Sequence, residues 1–80
     1  MQKKVDLSTC RGHLVEVVIE RADDQQPWSL AVRVRDAQGG AWSTPWREGE
    51  PHHFTCHDAL AAGKQQAMRM IGAVDAADPG

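Results

Sequence analysis

Hydrophobic and polar residues alternate along two segments in the first half of the chain. In HLVEVVIER, residues 13–21, every second position from the third to the seventh residue is a β-branched hydrophobic residue. In WSLAVRVRD, residues 28–36, an apolar series that begins at Trp28 alternates with polar positions that include Arg33 and Arg35. A period of two predicts two β-strands, each with one face toward a core and one toward water.

A third strand is predicted near residues 40–47, after the glycine-containing turn DAQGG. Pro45 has no N–H to donate to a neighbouring strand, so this strand should lie at an edge or be bulged. Trp42 and Trp46 have the same parity in the segment AWSTPW, and the alternation therefore predicts that they share one face of the sheet. The pattern leaves open which of the two faces that is.

After Thr55 the hydrophobic period changes from two to about 3.6 residues, which predicts a helix from about Cys56 to Gly72 or Val74. Thr55 is placed as the N-cap, and Asp58 follows three residues later in an arrangement that resembles a capping box. The helix face expected to pack on the sheet contains Cys56, Leu60, Gly63, Ala67, Ile71 and Val74.

The connections between the strands are too short for crossovers, so neighbouring strands should be antiparallel. We therefore predict an α+β fold of β-β-β-α order. It is a two-layer sandwich in which one C-terminal helix packs on one face of a three-stranded antiparallel sheet. Gly63, on the apolar face of the helix, predicts a close approach of the helix backbone to Trp28 or another bulky side chain of the sheet.

The sequence predicts that residues 1–80 form one small domain, since a chain of 80 residues has room for one hydrophobic core. Residues 1–11 are polar, and we expect either a flexible tail or a short extra strand at residues 4–8. Residues 75–80, DAADPG, are expected to form a second, solvated tail.

The composition indicates a thin core. The chain has only four Leu, two Ile, seven Val and one Phe, helped by three Trp and three Met. A small domain with so few large hydrophobic residues often gains stability from a partner, a second copy of itself or a metal ion.

The charge and the N-terminal sequence argue against two classes of protein, nucleic-acid-binding proteins and exported proteins. The net charge is -2 and the isoelectric point is near 6.0, which argues against a dedicated nucleic-acid-binding protein. The start, MQKK, is not followed by an apolar segment of the kind found in signal peptides. We therefore expect a soluble cytoplasmic protein without a membrane span, in which both cysteines are reduced.

Two pairs of metal-binding residue types have two-residue gaps. They are Cys10 with His13, and His53 with Cys56. Together they would supply the four N and S ligands that Zn²⁺ prefers, so a zinc-stapled domain is one alternative. The favoured interpretation is that the protein has no metal and no other cofactor, because helical geometry already places Cys56 on the core-facing side of the helix.

The outward-facing arginines give two further interpretations. Arg33 and Arg35, with Trp42 or Trp46, would form a basic and aromatic platform of the kind that binds single-stranded RNA. Alternatively, these arginines form cross-strand ion pairs with the glutamates of residues 13–21, which are Glu16 and Glu20. The negative net charge favours the ion pairs.

One segment resembles a known family. The segment FTCHDALAAGKQQAMRMI is similar to the strand-to-helix junction of HicB-like antitoxin domains, which have a partial double-stranded-RNA-binding fold of β-β-β-α order. Within it, GKQQAMRM resembles the Lys-Ala helix of double-stranded-RNA-binding domains. As a whole, the chain resembles a small bacterial domain, and these resemblances imply the same order of strands and helix. The residues that carry the first similarity are Thr55, Asp58, Ala59 and Leu60.

No catalytic motif is visible, because the chain lacks a nucleophile elbow and a glycine-rich phosphate-binding loop. We therefore expect a non-enzymatic protein-interaction or accessory domain that acts through the sheet face or edge opposite the helix. Its partner would be another protein or a second copy of the chain. The residues expected at this interaction surface are Arg33, Arg35, Trp42 and Trp46.

Overall fold

The computed structural model describes residues 1–36 and 38–77, with side chains up to residue 73. The fold is α+β, with an antiparallel sheet and one C-terminal helix on one of its faces, which confirms the class predicted from the sequence. The sheet has four strands rather than three, in the order β1-β2-β3-β4. The elements are β1 (Gln2–Cys10), β2 (His13–Arg21), β3 (Ser29–Asp36), β4 (Trp46–Arg47) and α1 (Cys56–Ala77).

The core lies between α1 and the two central strands, β2 and β3. Its sheet side consists of every second residue of each strand, as the alternation predicts, and its helix side is a stripe of residues spaced four apart. Among the described residues, no polar or charged side chain is buried. The buried hydrophobic residues are Val15, Val17, Ile19, Trp28, Leu30, Val32, Val34, Ala59, Ala67 and Ile71.

The helix begins where the sequence predicts. The backbone N–H of Asp58 donates a hydrogen bond of 3.1 Å to Oγ1 of Thr55, which is therefore the N-cap. The centre of the buried stripe is rotated slightly from the predicted one, because Ala59 is fully buried whereas Cys56 and Leu60 are only partly buried. Among the described residues, no helix combines the length and the apolar character needed to cross a membrane.

The helix ends later than predicted, at Ala77. Residues 75–77, expected to belong to a solvated tail, are its last residues, while residues 78–80 lie outside the described part of the chain. The side chain of Val74, predicted to face the core, also lies outside it.

The N-terminal segment is a full strand, so the expectation of a flexible tail at residues 1–11 is wrong. β1 pairs with β2 over nine residues, joined by a two-residue turn at Arg11 and Gly12. These residues have φ values of 51° and 77°, the left-handed conformation at both central positions that defines a type I′ turn. This turn matches the twist of the two strands and fixes their register.

The predicted strand at residues 40–47 is reduced to the two residues of β4. The N–H of Ser43 donates to the carbonyl oxygen of Val34 at 2.8 Å, and the N–H of Val34 donates to Oγ of Ser43 at 3.1 Å. A side chain thus replaces part of the backbone ladder, and Pro45, without an N–H, follows. Regular pairing resumes only at Trp46, which lies opposite Val32.

Candidate functional site

The sheet face opposite α1, here called the open face, has no secondary-structure element packed on it within the described residues. Residues that pair directly across neighbouring strands point to the same face, so the strand registers define its membership. The open face consists of Lys3, Val5, Leu7, Thr9, Leu14, Glu16, Val18, Glu20, Ser29, Ala31, Arg33, Arg35 and Arg47.

The half of the open face formed by β1 and β2 carries exposed apolar residues among charged ones. Val5 is 52% exposed and Leu7 is 64% exposed, although both are large hydrophobic residues. Val5 lies opposite Val18, and Leu14 is the next apolar neighbour along β2. Val5 and Leu7 therefore expose apolar surface side by side on the edge strand of the sheet.

An ion pair lies at the centre of the open face. Nε and Nη2 of Arg33 donate to the two carboxylate oxygens of Glu16, at 2.7 Å and 3.1 Å. The hydrogen bond to Glu16 and its negative charge raise the pKa of Arg33 above its ordinary value. The predicted cross-strand pairing is thus confirmed for Glu16, whereas Glu20 lies opposite Ser29 and not an arginine.

Trp42 covers the other half of the open face. Its ring centroid lies 4.3 Å from the guanidinium carbon of Arg33 and 5.0 Å from that of Arg35, so it is stacked on both arginines. Trp46 packs against the core on the opposite face of the sheet. The prediction that Trp42 and Trp46 share a face is therefore wrong, because the chain between them is not a regular strand.

Three of the four predicted interaction residues therefore meet on the open face, and Trp46 does not. Arg47 joins them because β4 places it opposite Ala31. Among the described residues, neither Arg35 nor Arg47 has a carboxylate oxygen within 4.0 Å, so both keep uncompensated positive charge.

The four residues of the zinc alternative are not brought together. Cys10 and His13 flank the turn between β1 and β2, and Cys10 lines a surface recess with Ala67 of α1. Cys56 begins α1, and from there to Ala67 the helix rises about 16 Å at 1.5 Å per residue. Cys10 therefore lies beside the middle of the helix, whereas Cys56 lies at its start.

A different group of ligand types does converge. Among the described residues, Glu48, His52 and His53 present ligand atoms that all lie within 4.8 Å of one another. Nε2 of His53 lies 3.2 Å from Oε2 of Glu48, and Nδ1 of His52 lies 3.8 Å from Oε1 of the same carboxylate. We call these three residues the Glu-His cluster. The sequence drew attention to the histidines but gave no signal that Glu48 folds back beside them.

The backbone around the Glu-His cluster is tied to the edge of β3. The N–H of Glu48 donates to the carbonyl oxygen of Leu30 at 3.0 Å, and the N–H of Trp28 donates to the carbonyl oxygen of His53 at 2.7 Å. Both side chains are nearly buried, with exposures of 13% for Glu48 and 14% for His53, whereas that of His52 is 68% exposed. Glu48 and His53 are therefore held by the sheet, whereas the exposed ring of His52 contacts the carbonyl oxygen of Glu50 through Nδ1, at 3.1 Å.

Two surfaces thus carry the chemistry of this protein: the open face with the adjoining edge of β1, and the Glu-His cluster beyond β4. The first offers apolar contact area and positive charge, and the second offers nitrogen and oxygen ligands. No protein-family model, curated protein or solved structure gives a significant match to the chain.

Proposed function

We propose that the protein is a non-enzymatic interaction domain that assembles with a second copy of itself through β1. The observation that supports this most directly is that β1 is a nine-residue strand at the edge of the sheet, with Val5 and Leu7 exposed on it. An edge strand presents unpaired backbone groups and so forms a template for another strand. Within the described part of the chain, β2 is the only strand that pairs with β1, so the other edge of β1 has no strand beside it.

The turn determines which backbone groups of β1 point outward. In a two-residue type I′ hairpin the flanking residues, here Cys10 and His13, form a hydrogen-bonded pair. Every second residue back from Cys10 therefore bonds to β2, and the residues between them direct N–H and C=O toward solvent. The outward-directed residues are Lys3, Val5, Leu7 and Thr9.

The charges on β1 select one register for antiparallel pairing of two copies. With the two-fold axis at Val5, Val5 lies opposite Val5 of the partner subunit, and Lys4 lies opposite Asp6 of the partner subunit. The symmetry creates this Lys–Asp pair twice, on the sheet face that carries α1. The sequence of β1 is therefore complementary to itself about Val5.

Neighbouring registers place like charges together. An axis at Lys4 sets Lys4 against Lys4 of the partner subunit, and an axis at Asp6 does the same for two aspartates. An axis at Leu7 sets Lys4 against Cys10 and Asp6 against Ser8 of the partner subunit, so neither charge gains an opposite charge. Like charges directly opposite one another destabilise a strand pair, so the Val5 register is the favoured one.

Pairing in this register would join two sheets into one eight-stranded antiparallel sheet. The exposed Val5 and Leu7 side chains of the two copies would then meet at the seam, because both residues belong to β1. The positive halves, with Arg35 and Arg47, would lie at the two outer ends. Such a dimer offers a further protein partner a wide apolar strip flanked by positive charge, to which a segment with apolar and acidic side chains is complementary.

Sedimentation equilibrium of the full chain over a range of concentrations tests this proposal. We expect a reversible dimer for the unchanged protein and a monomer for Val5→Pro. The N–H of Val5 points away from β2, so proline there blocks added strands without removing a bond of the β1–β2 hairpin. Circular dichroism should show that the Val5→Pro variant keeps its strands and helix.

Charge exchange tests the register itself. Asp6 also lies 3.8 Å from Nζ of Lys64 in its own chain, so the exchange is made in a Lys64→Gln background. There we expect Lys4→Asp and Asp6→Lys each to weaken the dimer, and the double variant Lys4→Asp/Asp6→Lys to restore it, because position 4 faces position 6 of the partner subunit. A double variant that dimerises as weakly as the two single variants would rule out the Val5 register. A protein that stays monomeric at all concentrations would overturn self-association altogether.

RNA binding is a second candidate, and the stack of Trp42 on Arg33 and Arg35 favours it, since aromatic and guanidinium planes bind exposed bases. Against it, Arg33 is already paired with Glu16, and the net charge is negative. Titration with single-stranded and duplex RNA, followed through the NMR signals of Arg35 and Trp42, separates the two candidates. Salt-sensitive shifts confined to these residues would support RNA binding, and unchanged spectra would exclude it.

A further inference from the structure

We propose that the Glu-His cluster is a binding site for a divalent transition-metal ion, with Zn²⁺ as the best match. The three ligand atoms would be a carboxylate oxygen of Glu48, Nδ1 of His52 and Nε2 of His53. The cluster lies beside β4, at the opposite edge of the sheet from β1. The proposal is therefore independent of self-association.

The spacing of the ligand atoms fits a small metal ion. In a tetrahedral zinc site with bonds of about 2.0–2.1 Å, two ligand atoms lie about 3.3 Å apart. The separation between His53 and Glu48 is 3.2 Å, and that between His52 and Glu48 is 3.8 Å. His52 is largely exposed, and a small rotation of its ring would bring the second separation to the same value, at the cost of the 3.1 Å hydrogen bond between Nδ1 and the carbonyl oxygen of Glu50.

The carboxylate of Glu48 has an unsatisfied acceptor. Its Oε1 atom is buried and receives no hydrogen bond from the described residues, although the other oxygen, Oε2, lies within hydrogen-bond distance of Nε2 of His53. A buried carboxylate oxygen without a donor is unfavourable, and a cation between this oxygen and the two rings would satisfy it. This orphan acceptor distinguishes the cluster from a simple glutamate–histidine hydrogen bond.

The donor set selects the class of ion. Two imidazole nitrogens and one carboxylate oxygen suit Zn²⁺ and its neighbours in the transition series, whereas Mg²⁺ and Ca²⁺ prefer oxygen ligands only. The three residues lie within a six-residue stretch, so little chain entropy is lost on bringing them together. A fourth ligand position would open toward a recess lined on the helix side by Gln65, Gln66 and Arg69, where water can enter.

Metal binding must displace protons from the histidine ligands. In the metal-free protein, the contact between Nε2 of His53 and the Glu48 carboxylate is a hydrogen bond in which the ring nitrogen donates. A metal ion needs the lone pairs of both ring nitrogens, and Nδ1 of His52 also carries a proton, in its hydrogen bond to the carbonyl oxygen of Glu50. A proton must therefore leave each of the two nitrogens, either to solvent or to the other nitrogen of its ring. Release to solvent makes the binding enthalpy depend on the ionisation enthalpy of the buffer.

Isothermal titration of the full chain with ZnCl₂ tests the proposal. We expect one ion per chain for the unchanged protein, and a loss of affinity of about tenfold or more for Glu48→Gln and for His53→Ala, since changes outside the ligand set alone cost about 10–100-fold. His57→Ala is the matched control, because His57 is an exposed histidine of the same segment outside the cluster. Its affinity should remain unchanged.

Co²⁺ used as an optical probe identifies the ligands. Nitrogen and oxygen ligation gives only d–d bands, whereas thiolate ligation adds an intense charge-transfer band. We expect no charge-transfer band, and the same spectrum in the Cys10→Ser/Cys56→Ser variant. A thiolate band, equal affinity in Glu48→Gln, or no zinc binding at all would each overturn the proposal. Circular dichroism of every variant shows whether a lost affinity reflects a lost fold.

Discussion

Gly63 of α1 lies directly over Val17 of β2, so that the helix backbone occupies the space that a side chain would need. A β-carbon built on Gly63 would overlap Cγ1 of Val17 and would lie 3.0 Å from Cδ1 of Leu30. The close approach predicted from the sequence is therefore real, but its partners are Val17 and Leu30 rather than Trp28. We expect Gly63→Leu to reduce the free energy of unfolding by about 1–3 kcal/mol through overpacking, measured by urea denaturation.

The structure also predicts whether the smaller substitution, Gly63→Ala, raises or lowers stability. Alanine gains about 0.5–1 kcal/mol of helix propensity over glycine, but Val17 is fully buried and β-branched and has no room to turn away. We expect Gly63→Ala to lower stability by about 1 kcal/mol in a urea melt. Gly72→Ala is the control, because a β-carbon at Gly72 meets no atom within 4 Å, and it should raise stability by about 0.5–1 kcal/mol. Equal stabilisation by both substitutions would show that α1 stands farther from the sheet.

The tryptophans should differ sharply in their contribution to stability. Trp28 is 1% exposed and sits in the core, whereas Trp42 lies on the open face above two arginines. We expect Trp28→Ala to lower the free energy of unfolding by about 3–5 kcal/mol, through lost burial and the cavity left behind. Trp42→Ala should have a clearly smaller effect in the same urea melt, since its ring is only partly buried. A reversed order would contradict the placement of these rings.

In the turn between β1 and β2, a substitution at Arg11 can raise stability, whereas one at Gly12 should lower it. Arg11 adopts φ of 51°, which is unfavourable for a residue with a long side chain, and Asn tolerates it better. We expect Arg11→Asn to stabilise the protein by about 0.5–1 kcal/mol in thermal melts, and to slow hydrogen exchange in β1. Gly12→Ala should destabilise it by about 1–2 kcal/mol through backbone strain alone, because no atom lies within 4 Å of a β-carbon there.

The Glu16–Arg33 ion pair should show a larger coupling energy than an exposed pair. Double-mutant cycles with alanine compare it with Arg21–Asp24, in which the Asp24 side chain is 75% exposed. The pKa of Arg33 is raised, so its contribution is present below the ordinary pKa and is lost only as the pH rises past the raised one. We therefore expect the same coupling at about pH 7 and about pH 10. A coupling that disappears over this range would contradict the assignment.

The two central strands and the helix could be predicted because each buries one face. Their hydrophobic residues follow periods of two and 3.6, and the burial follows those periods. β1 gave a weak signal because its apolar residues, Val5 and Leu7, point away from α1, while Asp6 and Ser8 lie on the helix side. In such a strand the hydrophobic residues do not lie on the face that the helix covers, so their spacing does not predict burial.

The remaining features depend on local geometry that no periodic pattern encodes. The alternation rule failed for Trp42 and Trp46 because the Ser43 side chain and the lack of an N–H at Pro45 interrupt the ladder between them. The Glu-His cluster was missed because its third member, Glu48, is brought to the histidines by a loop at the sheet edge. Only the fold of that loop shows which of several nearby polar residues face each other.

Each strand of this sheet pairs with the strand next to it along the chain, and α1, the helix that covers the core side of the sheet, follows all of them in the sequence. During synthesis on the ribosome, the hairpins can therefore form in order of emergence, while the face that carries Val17 and Leu30 stays exposed until α1 is released. We expect nascent chains arrested before Cys56 to bind a chaperone that recognises apolar strands, and chains released at full length not to do so. Ribosome-bound cross-linking measures both, and equal binding to the two would show that α1 is not what shields this face.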